Sequence, residues 1–110
     1  MLWKHVSMFR LKDECRDQET VTKVADALKE MSDGIPGVVS IEIGVKPFSM
    51  PVQSPDGMVR FFDLHQELAF ESEDACMEYP KMAGHREFIK FSGPYMDEVI
   101  GIDFPVDPSK

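Results

Sequence analysis

Residues 2–11, LWKHVSMFRL, alternate two sets of side chains: Trp3, His5, Ser7, Phe9 and Leu11 against Leu2, Lys4, Val6, Met8 and Arg10. A period of two is that of a β-strand, and apolar residues in both sets describe a strand with both faces partly buried. His5 then shares a face with Trp3 and Phe9. Beyond a charged turn at residues 12–17, Val21, Val24, Ala25, Leu28 and Met31 recur at spacings of three and four, the stripe of an amphipathic helix. Asp33-Gly34 and Pro36-Gly37 end it.

Residues 38–45 are rich in β-branched side chains, with Val39, Ile41, Ile43 and Val45 on one face and Val38, Ser40, Glu42 and Gly44 on the other. The stretch 46–60 holds Pro47, Pro51, Pro55 and Gly57 and reads as a long loop, of a length that often carries function as a flap. A third strand is expected from Phe61 to Phe70, with Phe62, Leu64 and Leu68 pointing one way and Asp63, His65 and Glu67 the other. Ser72, followed by Glu73 and Asp74, caps a second helix running to about Tyr79. Pro80 ends or kinks that helix, and a shorter helical piece follows near His85 to Phe91. Ser92-Gly93-Pro94 then turns the chain into a last strand around Val99 to Phe104, leaving residues 105–110 as a loose tail.

The order β-α-β, β-α-β predicts one α+β domain over residues 1–110, of the ferredoxin-like split kind: a four-stranded antiparallel sheet with its helices on one face. The covered face is expected to take Val39, Ile41 and Ile43, Phe62, Leu64 and Leu68, and Ile100 and Ile102. The other face mixes apolar Leu2, Val6 and Met8 with Lys4, Arg10, Glu42, His65 and Glu67. Such a face suits the same face of a second copy about a two-fold axis, basic rows against acidic ones, so a homodimer is expected. A monomer with one wet sheet face is the alternative.

A chain of 110 residues fits one domain with a thin core. Its apolar share of 43% and charged share of 29% are those of a globular protein. The 20 acidic residues against 12 Lys and Arg oppose binding to nucleic acid and to anionic membranes. No apolar run approaches the roughly 20 residues of a membrane span, and Lys4, His5 and Arg10 interrupt the start where a secretory signal needs an apolar stretch. A cytoplasmic location is expected. Cys15 and Cys76 lie outside any CxxC arrangement and read as reduced thiols. Nucleotide-binding and zinc-protease motifs are absent, and no cofactor is expected.

For chemistry, the fold brings three side chains over one apolar pocket: His5 from the first strand, and Tyr79 and His85 in or just after the second helix. An imidazole hydrogen-bonded to a phenol in a dry pocket lowers the phenol's pKa and lets either group move a proton. The bland reading of each is a hydrogen-bonded core residue. Trp3, Phe9, Phe62 and Leu64 are the candidate pocket walls. A metal site from His65 with Asp63 and Glu67 is disfavoured, because alternate side chains on one strand stand roughly 7 Å apart.

The segments MLWKHVSMFRLK, IPGVVSIEIGV, DLHQELAFESEDACMEY, GHREF and VIGIDF, taken together, resemble the stress-responsive A/B barrel domain family over nearly the whole chain, the long Pro-rich loop excepted. The resemblance implies a dimeric α+β barrel of ferredoxin-like subunits. Among members, the chain is similar to the olivetolic acid cyclase-like proteins of plants, whose cofactor-free chemistry is an aldol condensation of a linear polyketide thioester. On that resemblance His5, Tyr79 and His85 match three site residues, the last two a proposed acid/base pair. A further strand histidine of those proteins falls on Leu64, and their HPxH segment is replaced by Met82, Ala83 and Gly84 ahead of His85. Two functions follow as expectations: cofactor-free acid/base chemistry, cyclase- or lyase-like, on a small carbonyl compound, or a non-catalytic homodimer that holds an apolar ligand or serves a stress response.

Overall fold

The computed structural model describes residues 1–46 and 62–107. These form β1 (Leu2–Leu11), α1 (Gln18–Asp33), β2 (Val38–Val45), β3 (Leu64–Phe70), α2 (Glu73–Glu78), α3 (Ala83–Ser92) and β4 (Met96–Val106). The sheet order is β2-β3-β1-β4, with every neighbouring pair antiparallel. This is the α+β, ferredoxin-like arrangement that the sequence predicts. Apart from Lys46, the expected loop at 46–60 lies outside the described residues, as do Phe61 and the end of the tail.

Two helices, α1 and α2, start where side chains cap them. Asp17 accepts from the Thr20 amide at 2.8 Å, and Ser72 from the Ala75 amide at 3.1 Å, each satisfying an amide that the first turn leaves without a partner. Between α1 and β2 the chain turns at Gly37, whose φ of +84° suits glycine, and a Cβ there would stand 2.7 Å from the Ala75 Cβ. The turn therefore fixes how closely α2 approaches β2.

All three helices pack on the side of the sheet that carries His5 and Leu68. Val21, Val24 and Leu28 of α1 and Phe88 of α3 bury against Phe9, Leu11 and Leu64. Cys76 of α2 and Tyr79 bury against Leu68 and Phe70.

Four details of facing and extent differ from the sequence reading. A bulge between Val38 and Ser40 turns Val38 onto the cluster of Leu68 and Phe70 and leaves Val39 54% exposed. An extra residue in one strand reverses every facing beyond it. In β4 the register sets Asp103 opposite His5, Gly101 opposite Ser7 and Val99 opposite Phe9. Paired residues share a face, so Ile100 and Ile102 belong with Met8 and Val6 on the open face, not under the helices. Asp63 is buried, where an outward position was expected. It precedes β3, accepts from the Leu11 amide at 2.7 Å and from Arg16 Nε at 2.8 Å, and so ties the entry of β3 to the end of β1. Finally, Pro105 and Val106, expected in the loose tail, extend β4 beside Trp3 and Leu2.

Candidate functional site

A cavity of about 350 Å³ lies between α3 and the β1/β4 half of the sheet. Gly101 leaves room for it, and the Phe9, Leu28, Phe88, Ile89 and Val99 side chains make its walls apolar. His5, Ser7, Gln66, Tyr79 and His85 supply its polar groups. Its lining holds no Lys, Arg, Asp or Glu among the described residues.

The break at Pro80 assembles the aromatic part. In an unbroken helix, residues six apart project about 120° apart around the axis. Here α2 ends at Glu78, one 3-10 turn carries Tyr79 to Lys81, and α3 begins at Ala83. The rings of Tyr79 and His85 consequently meet edge to face with centroids 4.8 Å apart. His5 meets the same phenol ring with centroids 5.2 Å apart, so both imidazoles pack on Tyr79.

The Tyr79 hydroxyl is committed elsewhere. It accepts from Gln66 Nε2 at 3.3 Å and donates to Met31 Sδ at 3.7 Å. Gln66 also donates to Ser32 Oγ at 2.8 Å and accepts from Ser7 Oγ at 3.0 Å, while Ser32 donates to the Leu28 carbonyl. This network crosses the core beneath the cavity with each member partnered. The expected phenol–imidazole hydrogen bond is absent among the described residues, and the expected lowering of the phenol's pKa is reversed. Burial pushes the Tyr79 phenol up, and the Asp103 charge adds to that, against a smaller opposing effect of the Gln66 hydrogen bond.

A second polar chain runs at the other side of the phenol. His5 Nδ1 lies 2.7 Å from Asp103 Oδ1, and Cys76 Sγ donates to the same oxygen at 3.4 Å. A carboxylate only accepts, so it selects the Nδ1–H tautomer of a neutral His5 and leaves Nε2 as the lone-pair nitrogen. His85 Nδ1 is buried with no hydrogen-bond partner among the described residues. Burial lowers the His85 pKa, as does the nearby His5, which favours the neutral ring.

Of the candidates read from sequence, His5, Tyr79, His85 and Phe9 meet at the cavity. Trp3, Phe62 and Leu64 do not line it. Trp3 packs against the cluster of Leu68, Phe70, Cys76 and Tyr79, Leu64 is buried in the cluster of Phe9, Val24 and Leu28, and Phe62 is half-buried ahead of β3. β4 supplies Met96, Val99 and Gly101 to the lining and β3 only Gln66 among the described residues, whereas the walls expected from sequence had drawn on β3 and its approach. Asp103 and Gln66 were missed. Gln66 had a legible signal, a polar residue at the same parity as Leu64 and Leu68. Asp103 was legible only through the β1/β4 register. No group of three or more His, Cys, Asp or Glu side chains placed to hold a metal ion occurs among the described residues.

The profile of the stress responsive A/B barrel domain matches residues 3–106. The chain belongs to the stress-responsive A/B barrel domain family. Solved structures of this fold that it resembles include a dimeric ferredoxin-like protein of unknown function from Thermobifida fusca, 19% identical over 96% of this chain and 92% of that one, with a TM-score of 0.76. The hydroxynitrile lyase of Passiflora edulis is 16% identical over 97% and 94% of the two chains, with a TM-score of 0.74. A member of the same A/B barrel family from Mesorhizobium loti is 18% identical over 96% and 98%, with a TM-score of 0.70. At these identities the likeness is one of fold. No curated protein matches this A/B barrel domain by sequence. None of its helices, among the described residues, is long and apolar enough to cross a membrane.

Proposed function

We propose that this A/B barrel protein is a cofactor-independent acid/base catalyst acting, as a cytoplasmic homodimer of single-domain chains spanning residues 1–110, on a small, neutral, largely apolar carbonyl compound. The observation that carries the reading is the 2.7 Å contact of His5 Nδ1 with Asp103, which turns the lone pair of the other nitrogen to use as a base. His5 Nε2 takes a proton from the carbon next to the carbonyl. His85, which lines the same cavity and whose lowered pKa favours the neutral ring, donates its ring N–H to the oxygen where negative charge develops. Tyr79, expected from sequence as the proton carrier, here supports both rings by packing, its hydroxyl being held by Gln66 and Met31. Among the described residues the lining is apolar or neutral, with no cationic side chain, and so suits a neutral compound better than a phosphate or carboxylate. The hydroxynitrile lyase of the same fold supports the view that such a scaffold can host lyase chemistry.

The dimer is supported by the dimeric state named for the Thermobifida fusca protein and by the open face, where Met8, Ile100 and Ile102 are 38%, 40% and 58% exposed. A contiguous apolar stripe of this kind marks an association surface.

Exchange of α-protons into D2O, followed by NMR over a panel of neutral aldehydes and ketones, tests the catalytic reading. We expect exchange with at least one compound and its loss by 100-fold or more, on the order of a general base's contribution, in His5→Gln. Ligand-induced shifts without exchange would overturn catalysis in favour of a small-molecule-binding homodimer. That second reading draws on one observation, the use of the Tyr79 hydroxyl in a structural network.

A further inference from the structure

We infer that Cys76 is a positioning residue of this site: its thiol, donating to Asp103, keeps the carboxylate on His5 and thereby fixes which ring nitrogen carries the proton. The inference rests on the proposed role of His5. Asp103 sits on β4, at the sheet edge, with its side chain 38% exposed. A carboxylate so placed can turn toward water and release His5. Two donors from two different elements oppose that turn by meeting on one oxygen: His5 Nδ1 from β1 and Cys76 Sγ from α2 both reach Oδ1.

Cys76 is itself 2% exposed, so little water competes for its proton. A thiol is a weak donor in water and a more useful one where nothing better is available. It also stays a donor. Burial, helped by the Asp103 hydrogen bond and charge and by Glu73, pushes the thiol pKa up to about 11. Cys76 lies three residues before Tyr79, so the same hydrogen bond joins the segment that presents the phenol to the strand that presents the carboxylate.

A purely structural Cys76 would fill space beside Leu68, Phe70 and Tyr79 and nothing more. Two variants separate the possibilities, since Cys76→Ala and Cys76→Ser remove similar volume but only serine keeps a donor. The readout is the His5 tautomer ratio, from long-range 1H–15N correlations of 15N-histidine-labelled protein in mildly alkaline buffer. In Cys76→Ala the Nδ1–H to Nε2–H ratio should fall roughly two- to tenfold, the weight of one modest hydrogen bond. In Cys76→Ser it should stay within about twofold of wild type, being less than one such bond. Equal changes in both variants, or none in either, would overturn the inference. Should Cys76→Ala not fold, Cys76→Val keeps the packing without the donor and must show the same fall. A wild-type His5 lacking the Nδ1–H tautomer would overturn the His5–Asp103 reading itself, whereas an unchanged ratio in the alanine variant overturns only the role of Cys76.

Discussion

On the helix-covered face of the sheet, Ser7 and Gln66 are polar, buried and fully partnered, while on the open face Ile100 and Ile102 are apolar and exposed. Both faces belong to the same strands, separated by single steps of the chain. The covered face shows that polar groups enter a core at small cost when each donor finds an acceptor, because the desolvation penalty falls only on groups left unmade. The open face shows the converse, apolar area that β1 and β4 leave bare and that gains free energy only when something covers it. The difference predicts that polar substitutions are tolerated outside and apolar ones punished inside, against the ordinary expectation for a core.

The strongest way to break the comparison is Gln66→Leu. Leucine is of similar size and more apolar, yet Ser7, Ser32 and Tyr79 each lose a partner, and we expect a loss of about 3 kcal/mol in urea unfolding. A loss under about 1 kcal/mol would mean that the network is dispensable. Next comes Ile102→Asp on the open face. Its folded stability should change by less than about 0.5 kcal/mol under dilute conditions. Self-association should weaken by about 2 kcal/mol, roughly thirtyfold, in sedimentation. Sedimentation identical to wild type would remove the open face as the dimer surface.

Gly44→Ala sharpens the same contrast. A Cβ there would lie 2.5 Å from His65 Cε1, but that ring is the half-exposed tip of a side chain and can swing aside. The cost should stay within about 0.5 kcal/mol, the scale of a surface change. The smallest effect expected is the pH dependence from His85. Its pKa is lowered in the fold, so the unfolded chain takes up the proton first. The associated stability is complete above about 6.5, the ordinary histidine value, and declines as pH falls through it toward the lowered folded value. His85→Asn should remove that part of the slope between otherwise matched denaturation curves.

The elements were legible because their periodicities are clean, the alternation of residues 2–11 and the three-and-four spacing from Val21 to Met31 among them. Facing was legible only where polarity and parity agree. In residues 99–104, VIGIDF, the bulkier residues Ile100 and Ile102 suggest themselves for the helix-covered face, yet the register puts Gly101 and Asp103 on it. A cavity needs absent volume, and His5 needs an acceptor, and neither need is visible in hydrophobicity. Val38 and Val39 are chemically identical, so only the bulge tells them apart. The gathering of His5, Tyr79 and His85 followed from the topology. The direction of the Tyr79 hydroxyl did not, because it depends on Gln66 and Met31 reaching it from other elements.

β4, at eleven residues, is an edge strand with exposed Val99, Ile100 and Ile102, the profile of a segment that recruits foreign strands into aggregates. Pro105 near its end lacks an amide hydrogen, and a strand accepts proline where that hydrogen would point to solvent. An incoming chain meets a missing donor there. The length that lets β4 bring Val99 to the cavity and Asp103 to His5 thus comes with a break in the row of donors that a fibril template needs.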